Sequence, residues 1–168
     1  MTDSNLITTS NLVKTFTMGS HEFTALNKIN LSFKKGEFSG LVGPSGSGKT
    51  TFLNILGSLD VPTQGKAVVL GHSISELSTK KMAELRNHHL GFIFQTYNLL
   101  AVYTVYENVE LPLLLLKIPE AERKKAVLQS LEWVGLTDKI KSRPAQLSGG
   151  ECQRVSIARA MVKKPKIV

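Results

Sequence analysis

The spacing of apolar positions changes along this chain, and each change marks an element. Leu6 to Phe16 and Leu26 to Phe33 read as strands separated by a turn around Gly19. The second sets Leu26, Ile29, Leu31 and Phe33 among polar neighbours, as a half-buried strand does. Lys35-Gly36 then turns the chain into Glu37 to Val42, a short apolar run that predicts a buried strand. Phe52, Leu53, Ile55, Leu56 and Leu59 recur at helical spacing. Ala67 to Leu70 predicts a strand ended by Gly71, Ser78 to His88 a polar helix, and Gly91 to Gln95 a strand burying Phe92, Ile93 and Phe94. The stretch from Tyr97 to Arg143 is mainly helical in pattern. Its best-marked helix carries Pro119, Glu120 and Glu122 in its first turn, Val127, Leu131 and Val134 on one face, and Gly135 just past its end. A last helix covers Ser148 to Val162, burying Val155, Ala158, Met161 and Val162, and Lys166 to Val168 begins something strand-like. Strand, loop and helix alternate around a helical insert, which predicts an α/β fold.

Composition narrows the class without naming a function. The chain has 168 residues, 42% of them hydrophobic and 20% charged, with no repeat, linker or low-complexity tract, so a single folded domain is expected. The formal net charge of +8 would suit phosphate ligands, nucleic acid or an anionic surface. Its lysines are scattered as separated pairs such as Lys34-Lys35 and Lys124-Lys125, which reads as solvated surface; no nucleic-acid partner is expected. The single cysteine, Cys152, cannot form an internal disulfide, so a reducing compartment is expected, and a helix-borne thiol there reads as packing. Met1 to Ser10 is polar and lacks a leader-type apolar stretch. The most apolar run, Val109 to Ile118, is interrupted by Glu110, Pro112 and Lys117 and falls short of the roughly 20 residues a membrane helix needs. The chain reads as soluble by itself, with any membrane association coming through a partner. His21, His72, His88 and His89 form no metal-ligand pattern and read as surface residues.

Chemistry enters at Gly43-Pro44-Ser45-Gly46-Ser47-Gly48-Lys49-Thr50, a match to the G-x-x-x-x-G-K-[ST] phosphate loop. Binding a triphosphate needs backbone N–H groups converging on oxygens with no side chain in the way, and Gly43, Gly46 and Gly48 permit that approach and its positive-φ turns. The helix that follows aims free N–H groups and its positive dipole end at the phosphates. Lys49 would reach the β- and γ-phosphates, with Thr51 beside it, and the Thr50 hydroxyl would ligate Mg²⁺. This loop alone fits kinases, GTPases and many ATPases.

A second motif, Leu147-Ser148-Gly149-Gly150-Glu151-Cys152-Gln153-Arg154, contains a capping box: Ser148 as N-cap with Glu151 three residues on. Gly149 and Gly150 in the first turn weaken a helix by roughly 1 kcal/mol each relative to alanine. They make sense where something, an anion above all, approaches that backbone closely. A phosphate loop, then Gln95 after a strand, then Leu-Ser-Gly-Gly resembles the ABC-transporter ATP-binding proteins over the chain from about Asn5 onward. Gly91 to Gln95 with Asn98-Leu99-Leu100, Tyr106-Glu107-Asn108-Val109 and the Glu151 ending resemble the lipoprotein-releasing and macrolide-exporter group. Leu56-Gly57-Ser58-Leu59-Asp60-Val61-Pro62-Thr63 and Ala83-Glu84-Leu85-Arg86-Asn87 look closest to the lipoprotein-releasing ATPase.

The resemblance implies a P-loop NTPase fold of ABC ATPase type over residues 1–168, with an N-terminal antiparallel β part, a helical signature subdomain over about 97–147 and an incomplete C-terminal portion. It implies ATP and Mg²⁺ as ligands. Phe16 matches the aromatic that stacks on adenine, a core-facing phenylalanine being the other reading. Gln95 matches the glutamine that senses Mg²⁺ and the attacking water, a polar strand end being the other reading. Ser148, Gly149, Gly150 and Glu151 match the signature that meets ATP held by the partner chain, so two chains would pair head to tail as a homodimer or with another ABC ATPase. Membrane subunits would be the further partners, placing the chain at the cytoplasmic face of the membrane. The sequence runs to Lys164-Pro165-Lys166-Ile167-Val168, where the resemblance puts the start of the strand leading to an Asp-Glu pair. On this reading the general base lies past Val168, and the chain as given binds nucleotide weakly and hydrolyses it poorly. A non-catalytic nucleotide-binding fragment, or an ABC protein acting on ribosomes or DNA, are the other readings.

Overall fold

The computed structural model describes residues 5–168, so the first part of the polar stretch Met1 to Ser10 lies outside the described residues. The chain divides between Glu84 and Leu85 into two compact units. The first is built on a hairpin, β1 (Asn5–Met18) and β2 (His21–Lys34), reversed at Gly19. Both strands outrun their apolar cores, because backbone pairing continues through polar positions as far as Thr17 opposite Glu22 and Met18 opposite His21. Helix α1 (Lys49–Leu56) follows, then β3 (Gln64–Val69) and the short β4 (His72–Ser73). The sheet order is β2-β1-β3-β4, antiparallel throughout. Leu12, Leu26, Ala67 and Val69 are buried on it, and α1, which packs against β2 and β3, buries Phe52, Ile55 and Leu56. Helix α2 (Thr79–His89) runs across the division and starts and ends one residue later than its pattern predicts.

Three expectations fail here, the first because an apolar run is a strand only when a neighbour pairs with it. Glu37 to Val42 belongs to no sheet, and Phe38 and Val42 are fully exposed. Leu31 is exposed although β2 pairs with β1 there, and of the four apolar positions of this edge strand only Leu26 is buried. Leu53 and Leu59 are exposed too, since α1 ends at Leu56 and the buried stripe runs through Phe52 and Ile55.

The second unit is helical. Helices α3 (Val105–Leu115), α4 (Glu120–Trp133) and α5 (Gly149–Met161) share a core of Val105, Val109 and Leu113 with Val127 and Leu131 and with Val155, Ala158 and Val162. Pro119 is the N-cap of α4 rather than a first-turn residue. Met161 is exposed, a correction that follows from spacing: Val155, Ala158 and Val162 form the i, i+3, i+7 stripe, and i+6 lies off it. Arg123 of α4 reaches back to α3, its Nε 2.9 Å from Glu110 Oε1, while its Nη1 donates to the Ile118 carbonyl at 2.7 Å. The predicted strand Gly91 to Gln95 reduces to a single parallel bridge, Leu90 to Ile167, with the Gly91 amide donating to the Ile167 carbonyl at 2.8 Å. Phe92 is half-buried, but Ile93 and Phe94 are 39% exposed, so the expected burial is also corrected. Among the described residues no helix is long and apolar enough to cross a membrane.

Candidate functional site

The phosphate loop is shaped by its glycines and closed by its lysine. Gly46 and Gly48 take positive φ (80° and 85°), whereas Gly43 does not; a side chain on Gly43 would instead meet Ser47 Oγ at 2.9 Å. Gly48 is the left-handed N-cap of α1, and a Cβ there would lie 2.5 Å from the Ala25 carbonyl oxygen of β2. No side chain caps α1, so its first N–H groups are left to face whatever the loop encloses. The Lys49 amine donates to the Gly43 carbonyl (2.8 Å), the Pro44 carbonyl (2.7 Å) and Ser47 Oγ (3.1 Å), which places a cation against the loop itself. Pro44, Ser45 and Thr50 are exposed and Thr51 is half-buried. The approach to the loop starts at Glu37, whose carboxylate accepts from the Ser39 hydroxyl (2.6 Å) and the Lys34 amide (2.8 Å). Those two bonds hold its carboxyl below the usual carboxylate range.

Phe16 stands on β1 directly opposite Phe23 of β2, and both rings are open to solvent, at 38% and 56% exposure, so Phe16 is not a core residue. Lys14 Nζ sits over the Phe16 ring, 5.1 Å from its centroid. Neither Lys14 nor Phe23 was legible as a site residue. Lys14 is one of many scattered lysines, and Phe23 falls in what reads as the turn between two shorter strands.

The signature forms the capping box its spacing predicts. The Glu151 amide donates to Ser148 Oγ (3.2 Å) and the Ser148 amide to Glu151 Oε2 (2.7 Å). The Ser148 amide, and after it the Ser148 side chain, hold the Glu151 carboxyl below the usual range, and Lys139, 3.7 Å away, adds to the effect. Gly149 has an ordinary φ, and a Cβ on it would lie 3.3 Å from Tyr97 Oη. Cys152 is buried, burial pushes its thiol up, and its Sγ lies 3.7 Å from the Pro144 carbonyl, so it packs as expected.

Gln95 is exposed on the loop that leads to Tyr97 and Asn98, which both adopt positive φ (60° and 48°). That turn is held from α5. Arg159 Nη2 donates to the Tyr97 carbonyl and Nη1 to the Asn98 carbonyl, each at 2.6 Å, and burial lowers the guanidinium's pKa. Fully buried Asn108 secures the next residues: its Oδ1 accepts from the Leu100 amide (2.8 Å), and its amide nitrogen reaches the Leu100, Tyr103 and Thr104 carbonyls. Arg159 and Asn108 as loop holders were missed; a polar residue among the apolar positions of α3 is the signal that could have exposed Asn108. Phe16 and the phosphate loop thus lie in the first unit, Gln95 and the signature in the second.

The family model described as "ABC transporter" matches residues 26–168. An "Uncharacterized ABC transporter ATP-binding protein" of Thermotoga maritima is 44% identical, over 92% of this chain and 66% of its own length. The "Uncharacterized ABC transporter ATP-binding protein YvrO" of Bacillus subtilis is 42% identical, over 97% of this chain and 71% of its own. The chain therefore spans about two thirds of the length of these relatives. Among solved structures, the ATP-binding cassette MJ0796, described as a dimer in a post-hydrolysis state bound to ADP and Pi, superposes with a TM-score of 0.86 at 41% identity, over 95% of this chain and 70% of that one. A second structure of it, described as a dimeric bacterial ABC transporter cassette, gives the same values. A phosphate loop with its lysine folded in, a capped Leu-Ser-Gly-Gly helix start and a family match running from residue 26 to residue 168 agree: this chain belongs to the ABC transporter family, as an ATP-binding cassette.

Proposed function

We propose that this chain binds MgATP and serves as the ATPase of an ABC transporter, coupling ATP binding and hydrolysis to substrate movement by membrane subunits. The observation that carries the reading is the Lys49 amine, within 2.7–3.1 Å of Gly43, Pro44 and Ser47, in front of a helix start that no side chain caps. A cation and unspent N–H donors at one point suit a polyphosphate and little else. The exposed Thr50 hydroxyl and the Gln95 amide are oxygen donors of the hard type Mg²⁺ prefers. Held at the Thr50 hydroxyl, the ion would neutralise charge on the phosphate oxygens.

Lys49 holds the β- and γ-phosphates in this reading, Phe16 stacks on the base, and Gln95 orients the attacking water. Ser148, Gly149, Gly150 and Glu151 complete the ATP site of a second cassette, in a head-to-tail pair that sits at the cytoplasmic face of the membrane through its membrane subunits. The dimeric description of the MJ0796 cassette supports the pairing. The subfamily motifs at Leu56 to Thr63 and Ala83 to Asn87 favour lipoprotein release, or else export of small molecules or peptides, as the transport task.

Titration calorimetry with MgATP tests the central step. Wild-type chain is expected to bind, and Lys49→Ala to weaken binding by about ten- to a hundredfold, the worth of charge-assisted hydrogen bonds to phosphate. Equal affinity in the two proteins would sink the reading.

A further inference from the structure

None of the nucleotide motifs uses Lys14, yet its surroundings fix it closely. Its side chain is only 12% exposed. The amine donates to Asp60 Oδ1 at 2.6 Å and to the Val61 carbonyl at 2.8 Å, while sitting over the Phe16 ring. Asp60 is fixed in turn: Oδ1 also accepts from the Val61 amide (2.7 Å). The amides of Leu59 and Asp60 donate to the Asn54 carbonyl of α1 at 2.8 and 3.3 Å. Three residues on, the Thr63 amide donates to the Val13 carbonyl (2.8 Å), and Thr63 Oγ1 accepts from the Thr15 amide (3.0 Å). The segment from Leu59 to Thr63 is therefore bonded to the phosphate-loop helix at one end and to β1, on both sides of Lys14, at the other.

We propose that Lys14, locked by Asp60, is a positioning residue for the nucleobase. It occupies one face of Phe16, holds that ring in a fixed orientation, and leaves the opposite face for a base to stack on. This deepens the MgATP reading and rests on it. An exposed phenylalanine near a strand end would otherwise lose side-chain freedom when a base stacked on it, and ordering it beforehand removes that cost from binding. The cation is well placed for the task, since an ammonium within about 6 Å of a ring centroid is attracted to the ring face, more strongly where it is desolvated. The same latch spans from the ring to the helix that begins at Lys49, so base and phosphate contacts are set on one rigid frame.

A purely structural role would alter the affinity of every ligand alike, whereas a positioning role touches only ligands that carry a base. The test is calorimetric titration of the chain with MgATP and with magnesium tripolyphosphate, comparing the preference for ATP. Phe16→Ala is expected to remove about tenfold of that preference, the worth of one base–aromatic stack. Lys14→Met should remove about three- to fivefold with tripolyphosphate affinity unchanged, Asp60→Asn somewhat less, and Lys14→Arg, which keeps a cation over the ring, almost none. A preference unchanged in both Lys14→Met and Asp60→Asn would overturn the proposal. So would equal losses for both ligands, or a preference that depends on Phe23 in place of Phe16. Should Lys14→Met fail to fold, the milder Asp60→Asn decides by the same readout. A wild-type chain that binds neither ligand removes the nucleotide reading and the latch with it; one that binds both, with an unaltered preference in the variants, removes the latch alone.

Discussion

The start of α1, at Gly48-Lys49, and the start of α5, at Ser148-Gly149, are both rich in glycine and serine, and they satisfy their first turns in different ways. At α1 the N-cap is a left-handed glycine, no side chain accepts from the first N–H groups, and the positive charge is brought in by Lys49. At α5 the Ser148 and Glu151 side chains bond each other's backbone amides, and the glycines adopt ordinary helical geometry. One start is open and conformationally demanding; the other is self-capped and merely slim. Glycine therefore means two things in this chain. In the phosphate loop it supplies a backbone conformation that L side chains avoid, and in the signature it keeps the surface of a finished helix bare for close approach.

Exchange of the glycines probes that contrast most sharply. Gly48→Ala places a Cβ 2.5 Å from the Ala25 carbonyl at φ 85°. It is expected to cost about 2–3 kcal/mol of stability in denaturant titration and to lose MgATP binding. Gly149→Ala needs only a small retreat by the Tyr97 hydroxyl, and alanine is the better helix former, so its stability is expected to stay within about 0.5 kcal/mol of wild type. Comparable losses at the two positions would break the comparison.

A smaller effect is expected from the cap. Ser148→Ala removes the acceptor for the Glu151 amide and should cost about 1 kcal/mol, with no change in MgATP affinity at the chain's own phosphate loop. Smaller still is a pH effect at Glu151. Its folded carboxyl titrates below the usual range, so the stability it contributes is fully present above that range and is lost as pH falls through the folded value. Thermal midpoints of wild type and Glu151→Gln should differ at neutral pH and converge in acid; a gap that persists in acid would show that the ionised carboxylate is not what the cap uses.

Both helix starts were legible in the sequence because each is a local arrangement. A cap, a left-handed glycine and a lysine next to its loop involve residues a few positions apart, so spacing alone specifies them. The apolar stripe of α4 was legible for the same reason, with Val127 and Leu131 buried as their spacing predicts. The two strands at Glu37 to Val42 and Gly91 to Gln95 were misread because pairing is not local. Their composition suits a strand, but each needs a neighbour, and among the described residues the second meets only Ile167.

Sequence by itself determined the phosphate loop, the capped signature, the apolar stripe of α4 and the family they belong to, all through short-range spacing. Tertiary structure decided which of the scattered polar residues have work. Lys14 is one lysine among many until Asp60, 46 residues away, and the Phe16 ring fix it. Arg159 is a helix arginine until its fork meets the Tyr97 and Asn98 carbonyls, 62 and 61 residues back along the chain. Such partners are set by how the chain folds back on itself, and no periodicity records them.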